Sequence, residues 1–341
     1  MIFSAPIAGS SNELADWMEL EVLTCARGEA PLGAVNESLE IAEDNEPSEL
    51  DHENLANERR LQQVIAAVEE RRKVIGAAYP FACDKAGTLL RLADPLTDAA
   101  YVYLFCLIVS AGAPDGILQE NGPWKPDLDT ARGIFQICAT VASAGHVGGP
   151  AYSVGWPRSD SSGFLEKLRT VYAHFGDGKV HAAIPPGAPA QVKDDEIDVI
   201  AWKADDVRPR LGYFLGQAAS GNNWPAKSLK GHVDTYHGTW FLQSPACLAR
   251  VGTIIPFYLP SDADAEDEDH EAQEIIEGKL RRLGFDFPEL LHRHRVARYF
   301  ESGLVLHAKG VSPIEGVAET QRIRTFVDKF RAQLQAAAAQ A

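Results

Sequence analysis

Two linked stretches decide the fold: KDDEIDVIAWK, residues 193–203, and GQAASGNNWPAK, residues 216–227. Side chains of a strand point alternately to opposite faces. In the first stretch this puts Glu196 and Asp198 on one face and Ile197, Val199 and Ala201 on the other, so a strand is expected over 196–202. A second strand is expected over 213–218, and the turn-rich residues 205–211 between them make the pair a hairpin. An acid at the mouth of an apolar strand is costly unless it is paired or binds metal. Asp198 is that acid, and the next strand ends at Gln217, whose amide oxygen is a hard ligand acceptable to magnesium. A turn of small residues follows, then a helix expected over 224–236 that carries Lys227.

Working outward, residues 185–189 (PPGAP) form a stiff connector before this hairpin, and 251–259 read as a further strand or buried apolar run. Upstream, helices are expected over 13–26, 55–75, 99–110, 130–144 and 163–175, with a short strand at 89–92. Arg71, Arg72 and Lys73 fall near the negative end of the second of these helices, where cations are favourable. Acidic runs at 37–53 and 261–271 read as solvated segments. Helices then run to an alanine-rich tail, and the pattern His292-Arg-His-Arg295 reads as a basic solvated face, because residues i and i+2 do not share a helix face.

The paired stretches resemble the PD-(D/E)xK nuclease superfamily of restriction-type enzymes. In that superfamily an Asp on one strand and an acid or Gln on the next bind magnesium, and a Lys two residues later contacts the attacking water and the scissile phosphate. Asp198 stands at the place of the first Asp and Gln217 at that of the second ligand. The segment is more similar still to a variant bacterial group reading roughly DDGVDVIAW…GQxATGxxWxxK, of the kind linked to phage defence. Phe135-Gln136 stands where that group has Phe-Glu on a helix, and Gly155-Trp-Pro-Arg158 also fits, so the resemblance extends over residues 130–260. Ala219 occupies the place of the usual Lys, leaving Lys227 as its substitute, and Gln136 replaces the helical acid. Glu196 would restore one negative charge; Glu166 is a second candidate for that role.

The resemblance implies an α/β (α+β) fold, a restriction-endonuclease-like mixed sheet flanked by helices, with helical N- and C-terminal additions. The regions expected are 1–129, 130–260 and 261–341. It implies a nuclease dependent on Mg2+ or Mn2+, with DNA as substrate, serving as effector of an anti-phage defence system. Asp198, Gln217 and Lys227 would be catalytic, with Asp198, Gln217 and Glu196 holding the metal. Gln136 marks the helix position, and Asn222, Asn223 and the amides near Gly221 would cradle a phosphate at a helix start. Trp224 would stack on a base, unless it packs in the core as most Trp side chains do.

Composition narrows the alternatives. The net charge of −16 excludes a chain that coats nucleic acid over its whole surface, since that requires clustered Lys and Arg. It leaves a locally basic cleft, or a protein partner or homo-oligomer that supplies the basic surface. The five cysteines form no CxxC pair and suit reduced thiols, with Cys106 and Cys138 in the core. The N-terminus has no signal-peptide pattern, and the longest apolar run, 101–113, is too short for a bilayer. A cytoplasmic protein with no membrane association is expected. Gly145-x-x-Gly-Gly-Pro150 lacks the Gly-Lys-Ser/Thr of a phosphate-binding loop, and Ser153, Ser161 and Ser220 lack the nucleophile elbow of a serine hydrolase. The main rival reading is a catalytically degenerate nuclease-fold protein acting as a scaffold subunit, favoured by Ala219 and the two Gln residues. A small-molecule hydrolase on an unrelated α/β sheet is the third.

Overall fold

The computed structural model describes residues 3–6, 9–35, 50–114, 116–118, 126–156, 158, 160–189, 192–205, 210–259 and 270–340, with the backbone alone at 50–57 and 270. In chain order the elements begin α1 (Ser11–Thr24), β1 (Glu29–Pro31), α2 (Leu50–Ile75), β2 (Phe81–Cys83), β3 (Leu89–Leu92), α3 (Asp98–Ala111), α4 (Leu128–Val147), β4 (Ala151–Ser153) and α5 (Phe164–Phe175). They continue with β5 (Lys179–Val180), β6 (Val199–Ala201), β7 (Gly212–Ala218), α6 (Val233–Trp240), β8 (Phe241–Gln243) and β9 (Leu248–Ile254). The last are α7 (His270–Asp286), β10 (Glu289–Leu291), α8 (Arg293–Ala308) and α9 (Thr320–Ala338). The architecture is mixed α/β, with a mixed sheet flanked by helices. No helix among the described residues is long and apolar enough to cross a membrane.

The chain divides into two compact units. One takes residues 1–128, 257–281 and 323–341; the other takes 129–256 and 282–322. The break at 128/129 lies beside the expected 129/130 boundary, but 261–341 form no region of their own. They are shared between the two units, because α8 packs on the large sheet while α9 packs with the N-terminal helices. The expected acidic runs fall mostly outside the described residues.

In the first unit, β1, β3 and β2 form a small antiparallel sheet beside α1, α2 and α3. A capping box starts α1: Ser10 Oγ accepts from Glu13 N and Glu13 Oε2 accepts from Ser10 N, satisfying two amides that have no partner within the helix. The apolar residues of α3 are buried almost all round, as its unbroken apolar sequence requires. Arg71 does not sit on the surface at the end of α2. It is fully buried and reaches across to α1.

The second unit carries the sheet in the order β10-β9-β7-β6-β4. Strands β10, β9 and β7 run parallel, whereas β6 and β4 join antiparallel. One face presents Ile200, Trp202, Tyr213, Leu215 and Val251 to Leu168, Tyr172 and Phe175 of α5 and Tyr236 and Trp240 of α6. Each such large side chain contributes about 1.5–3 kcal/mol on full burial. On the other face, His146 of α4 meets the ring of Phe214 and that of Tyr299 on α8. Helices α4 and α8 touch backbone to backbone: a Cβ at Gly145 would stand 1.9 Å from Tyr299 O, and one at Gly303 2.3 Å from Val141 O.

Two expected features are corrected. The segment His292-Arg-His-Arg295 is not a solvated basic face: Arg293 is fully buried with Nε donating to Pro256 O (3.2 Å), and His292 caps α8 with its ring largely enclosed. Burial, and then the guanidinium groups of Arg295 and Arg293, push the His292 ring down to about 3. Unfolded, it would titrate near 6.5. Between these values the unfolded chain binds a proton that the folded chain does not, so stability falls as pH drops from about 6.5 toward 3, by at most about 1.4 kcal/mol per pH unit. Urea titrations at pH 7 and pH 5 should show His292→Asn losing less stability on acidification than the wild type. Equal losses would contradict this assignment.

The helix expected over 224–236 is also broken. Pro225 suits the first turn of a helix, but Lys227 (φ −111°, ψ 57°) and Ser228 (φ −92°, ψ 128°) leave the helical region and Ser228 Oγ caps a new turn, so the chain makes two short 3-10 turns, Trp224–Ala226 and Leu229–Gly231, before α6 begins. Lys227 lies between these turns, not on a helix.

Candidate functional site

The register of the central hairpin builds the site. Val199 pairs with Gly216 and Ile200 with Leu215, and Asp198 N donates to Gly216 O (2.8 Å). The paired register ends at Val199, and Asp198 and Val199 both lie against Gly216, which places Asp198 beside the end of β7. Asp198 Oδ2 accepts from Ala218 N (2.8 Å), so its carboxylate leans onto the end of β7. Gln217 is 6 % exposed, and its Oε1 is buried without a hydrogen-bond partner among the described residues.

Around Asp198 the backbone is held from three sides. Its carbonyl accepts from Val154 N (2.8 Å), Gly155 N (3.1 Å) and Gln136 Nε2 (2.8 Å). Gln136 Nε2 also donates to Ser153 Oγ (3.1 Å). Ser153 N donates to Glu315 Oε2 (2.8 Å), and the other oxygen of Glu315 accepts from the buried Lys167 Nζ (2.7 Å). Lys167 also bonds Asp160 Oδ2 (2.7 Å). Burial alone would raise Asp160; the Lys167 ammonium and the Ser162 hydroxyl and amide overcome it and hold this carboxyl well below the usual carboxylate range. A continuous chain of polar contacts therefore runs from Lys167 to Asp198.

The Asp198 carboxyl is pushed up to about 7, chiefly by burial and further by the neighbouring charge of Asp194. The Ala218 amide and the Lys227 ammonium act in the opposite direction. Lys227 is thus electrostatically coupled to Asp198, and Thr253 Oγ1 holds its backbone carbonyl (3.2 Å).

Sequence reasoning places Asp194 and Asp195 in a turn before the strand, as the chain does, and Glu196 on the strand beside Asp198, which the chain does not. Strand β6 is Val199–Ala201, and Asp195 and Glu196 are left-handed (φ 48° and 64°) in a turn closed by Ile197 N to Asp194 O (3.0 Å). Trp240 Nε1 donates to Asp195 Oδ2 (2.6 Å) and His232 Nε2 to Asp195 O (2.9 Å). These contacts fix the turn, and Glu196 is left exposed on it. Glu166 lies exposed in the first turn of α5. Asn222 and Asn223 are exposed in the loop before the first 3-10 turn, and Trp224 is partly exposed with its ring 5.3 Å from that of Phe287.

Reasoning from sequence does not assign a role to Gly155, Ser153 or Asp194. A Cβ at Gly155 would stand 2.3 Å from Asp198 Oδ1 and 2.9 Å from both terminal atoms of Gln136. Gly155→Ala should therefore displace the carboxylate and cost about 1–3 kcal/mol by overpacking, read as a lower urea midpoint than wild type. An unchanged midpoint would mean that Asp198 has room to move aside.

Among the described residues no group of three or more His, Cys, Asp or Glu side chains is arranged to hold a metal. The Asp198 carboxylate and the Gln217 amide oxygen are each hard donors of the kind such a cation takes. Comparison of the chain with protein-family models, curated proteins and solved structures returned no match.

Proposed function

We propose that this chain is a divalent-metal-dependent nuclease acting on DNA, built on a restriction-endonuclease-like core of β4, β6, β7, β9 and β10 with α4 and α5. One observation carries the reading: the Asp198 carboxylate accepts from the amide of Ala218, the residue next to Gln217, and the Gln217 amide oxygen is buried with no partner among the described residues. Leaving a buried acceptor unmet costs about 1–3 kcal/mol, and a group kept in that state calls for an explanation such as an ion or a catalytic role. Asp198 and Gln217 would hold Mg2+ or Mn2+, which supplies an activated water and neutralises charge on the phosphate.

The chain's own groups have defined parts. The Ala218 amide and the room left by Gly155 fix where the Asp198 carboxylate points. Lys227 sets a positive charge near that carboxylate, suited to a developing phosphate charge. Asn222, Asn223 and Trp224 lie at or close to the surface of the loop between Gln217 and Lys227, available to a nucleic-acid strand. Glu196 is not among the ligands. A role in anti-phage defence, a protein partner or homo-oligomer, and a cytoplasmic location rest on the resemblance of residues 193–227 and on composition.

A second reading, a catalytically degenerate subunit that serves as a scaffold, is favoured by Ala219. That residue is buried where the superfamily's lysine would enter the site. Metal binding separates the two. Calorimetric titration of Mn2+ should give one site in the wild type and none in Asp198→Asn. Binding of equal strength in both would remove the site, and absence of binding in the folded wild type would favour the scaffold.

A further inference from the structure

A cavity of about 510 Å³ opens on the far side of the segment that supports Asp198. Its walls include Trp156, Arg158, Phe164, Leu165, Ile184 and Trp240. The volume is in the range of small-molecule sites, and the lining is of their usual kind: apolar, with a few convergent polar groups. Trp156 is 54 % exposed, unusual for a residue that gains so much from burial. The floor is aromatic, with the Phe164 and Trp240 rings edge to face at 5.2 Å.

The charge of the cavity is specific. The Arg158 guanidinium lies 5.3 Å from the centroid of the Trp156 ring. Its N–H groups go to backbone carbonyls: Nε to Ser162 (2.7 Å), and one terminal nitrogen to Val154 (2.8 Å) and Lys193 (2.6 Å). Arg158 makes no ion pair among the described residues, although the charges of Asp160 and Asp194 act on it. Lys193 is a second cation in the lining and Glu166 an anion. An exposed aromatic ring beside a guanidinium with no contacting carboxylate among the described residues recognises a planar ring bearing an anionic group. Bases stack on such faces regardless of sequence.

We propose that this cavity binds a nucleotide, its base against Trp156 and its phosphate toward Arg158 and Lys193. The inference deepens the nuclease reading and rests on it for its meaning, because the segment Val154–Arg158 is common to both places. Val154 and Gly155 bond the Asp198 carbonyl, and Val154 O accepts from Arg158. The same chemistry is offered by a free mononucleotide and by an unstacked base of a single strand.

The test is binding without metal and without turnover. Deoxynucleoside monophosphates and a short single-stranded oligonucleotide are titrated by calorimetry into the wild type, Trp156→Ala and Leu165→Trp, with deoxyribose 5-phosphate as control. Trp156 is exposed, so its loss should leave the fold intact; Leu165→Trp fills the cavity from a second wall. The wild type should bind a nucleotide more tightly than the sugar phosphate, with affinity falling roughly tenfold in Trp156→Ala and further in Leu165→Trp. Binding of mononucleotides identifies a free ligand; binding of the oligonucleotide alone identifies a strand. Binding that is equal in Trp156→Ala, or equal for the sugar phosphate, or absent with both probes at millimolar concentration, overturns the proposal. A chain that binds nucleotides but cuts nothing keeps the cavity and loses the nuclease reading. A chain that cuts without Trp156-dependent binding does the reverse.

Discussion

Arg71→Met is expected to lower the stability of the N-terminal unit by about 3–5 kcal/mol. Arg71 is wholly buried, donating to Asp16 Oδ1 (2.7 Å), Glu19 Oε1 (2.8 Å), the Asn12 carbonyl (2.8 Å) and Asn12 Oδ1 (2.8 Å). Glu19 is 0 % exposed and also accepts from Tyr79 (2.6 Å) and Tyr103 (2.8 Å). Methionine fills much of the space but leaves two buried carboxylates without a cation, which is the costly way to break a buried ion pair. Replacing the whole group, Arg71→Met with Asp16→Leu and Glu19→Leu, should recover most of the loss, because no buried charge then remains unpaired. Urea denaturation of the three proteins checks both statements. If the single substitution costs less than about 1 kcal/mol, the network is not the keystone that its burial implies.

Asp198→Asn is expected to reduce DNA cleavage by about a thousandfold or more. A bound cation is worth several kcal/mol of transition-state stabilisation, and each 1.36 kcal/mol is tenfold in rate. The same substitution should leave the folded state as stable as before, or more so. Burial already pushes the Asp198 carboxyl up to about 7, so holding it ionised at neutral pH opposes folding. Asparagine keeps an acceptor for the Ala218 amide and removes the charge. An unchanged or higher Tm with activity lost separates a site residue from a structural one. A large drop in Tm would instead make Asp198 a structural acid.

The central hairpin was legible because its signal is local. The apolar runs at 199–202 and 213–215 each mark a strand buried on both faces, and the two pair as a hairpin. The end of β6 was not legible. Asp194-Asp195 suit a turn before the strand, but its extension through Glu196 depends on His232 and Trp240, 37 and 45 residues beyond Asp195. Arg71 misleads for the same reason. Its place on α2 suits a surface cation at a helix end, but partners 52 to 59 residues away draw it into the core. The helix expected after residue 224 breaks at Lys227 and Ser228, where the Ser228 hydroxyl caps a separate turn, a local competition that the apolar spacing does not show. Gly155 could have been noticed, since a glycine in the otherwise bulky run Val154–Trp156 points to close approach of another group. Which group approaches is decided by the fold alone. The cavity beside Trp156 draws on residues spread from 156 to 240 and leaves no trace in any one window.

If Asp198, Gln217 and Lys227 form the proposed metal-dependent nuclease site, it shows most directly in cleavage of supercoiled and linear DNA with Mg2+ or Mn2+ by the wild type, Asp198→Asn and Lys227→Ala. Metal-dependent cutting by the wild type is expected, abolished in Asp198→Asn and reduced by roughly tenfold or more in Lys227→Ala. Cutting that survives Asp198→Asn, or a folded wild type that cuts neither substrate with either metal, would contradict it.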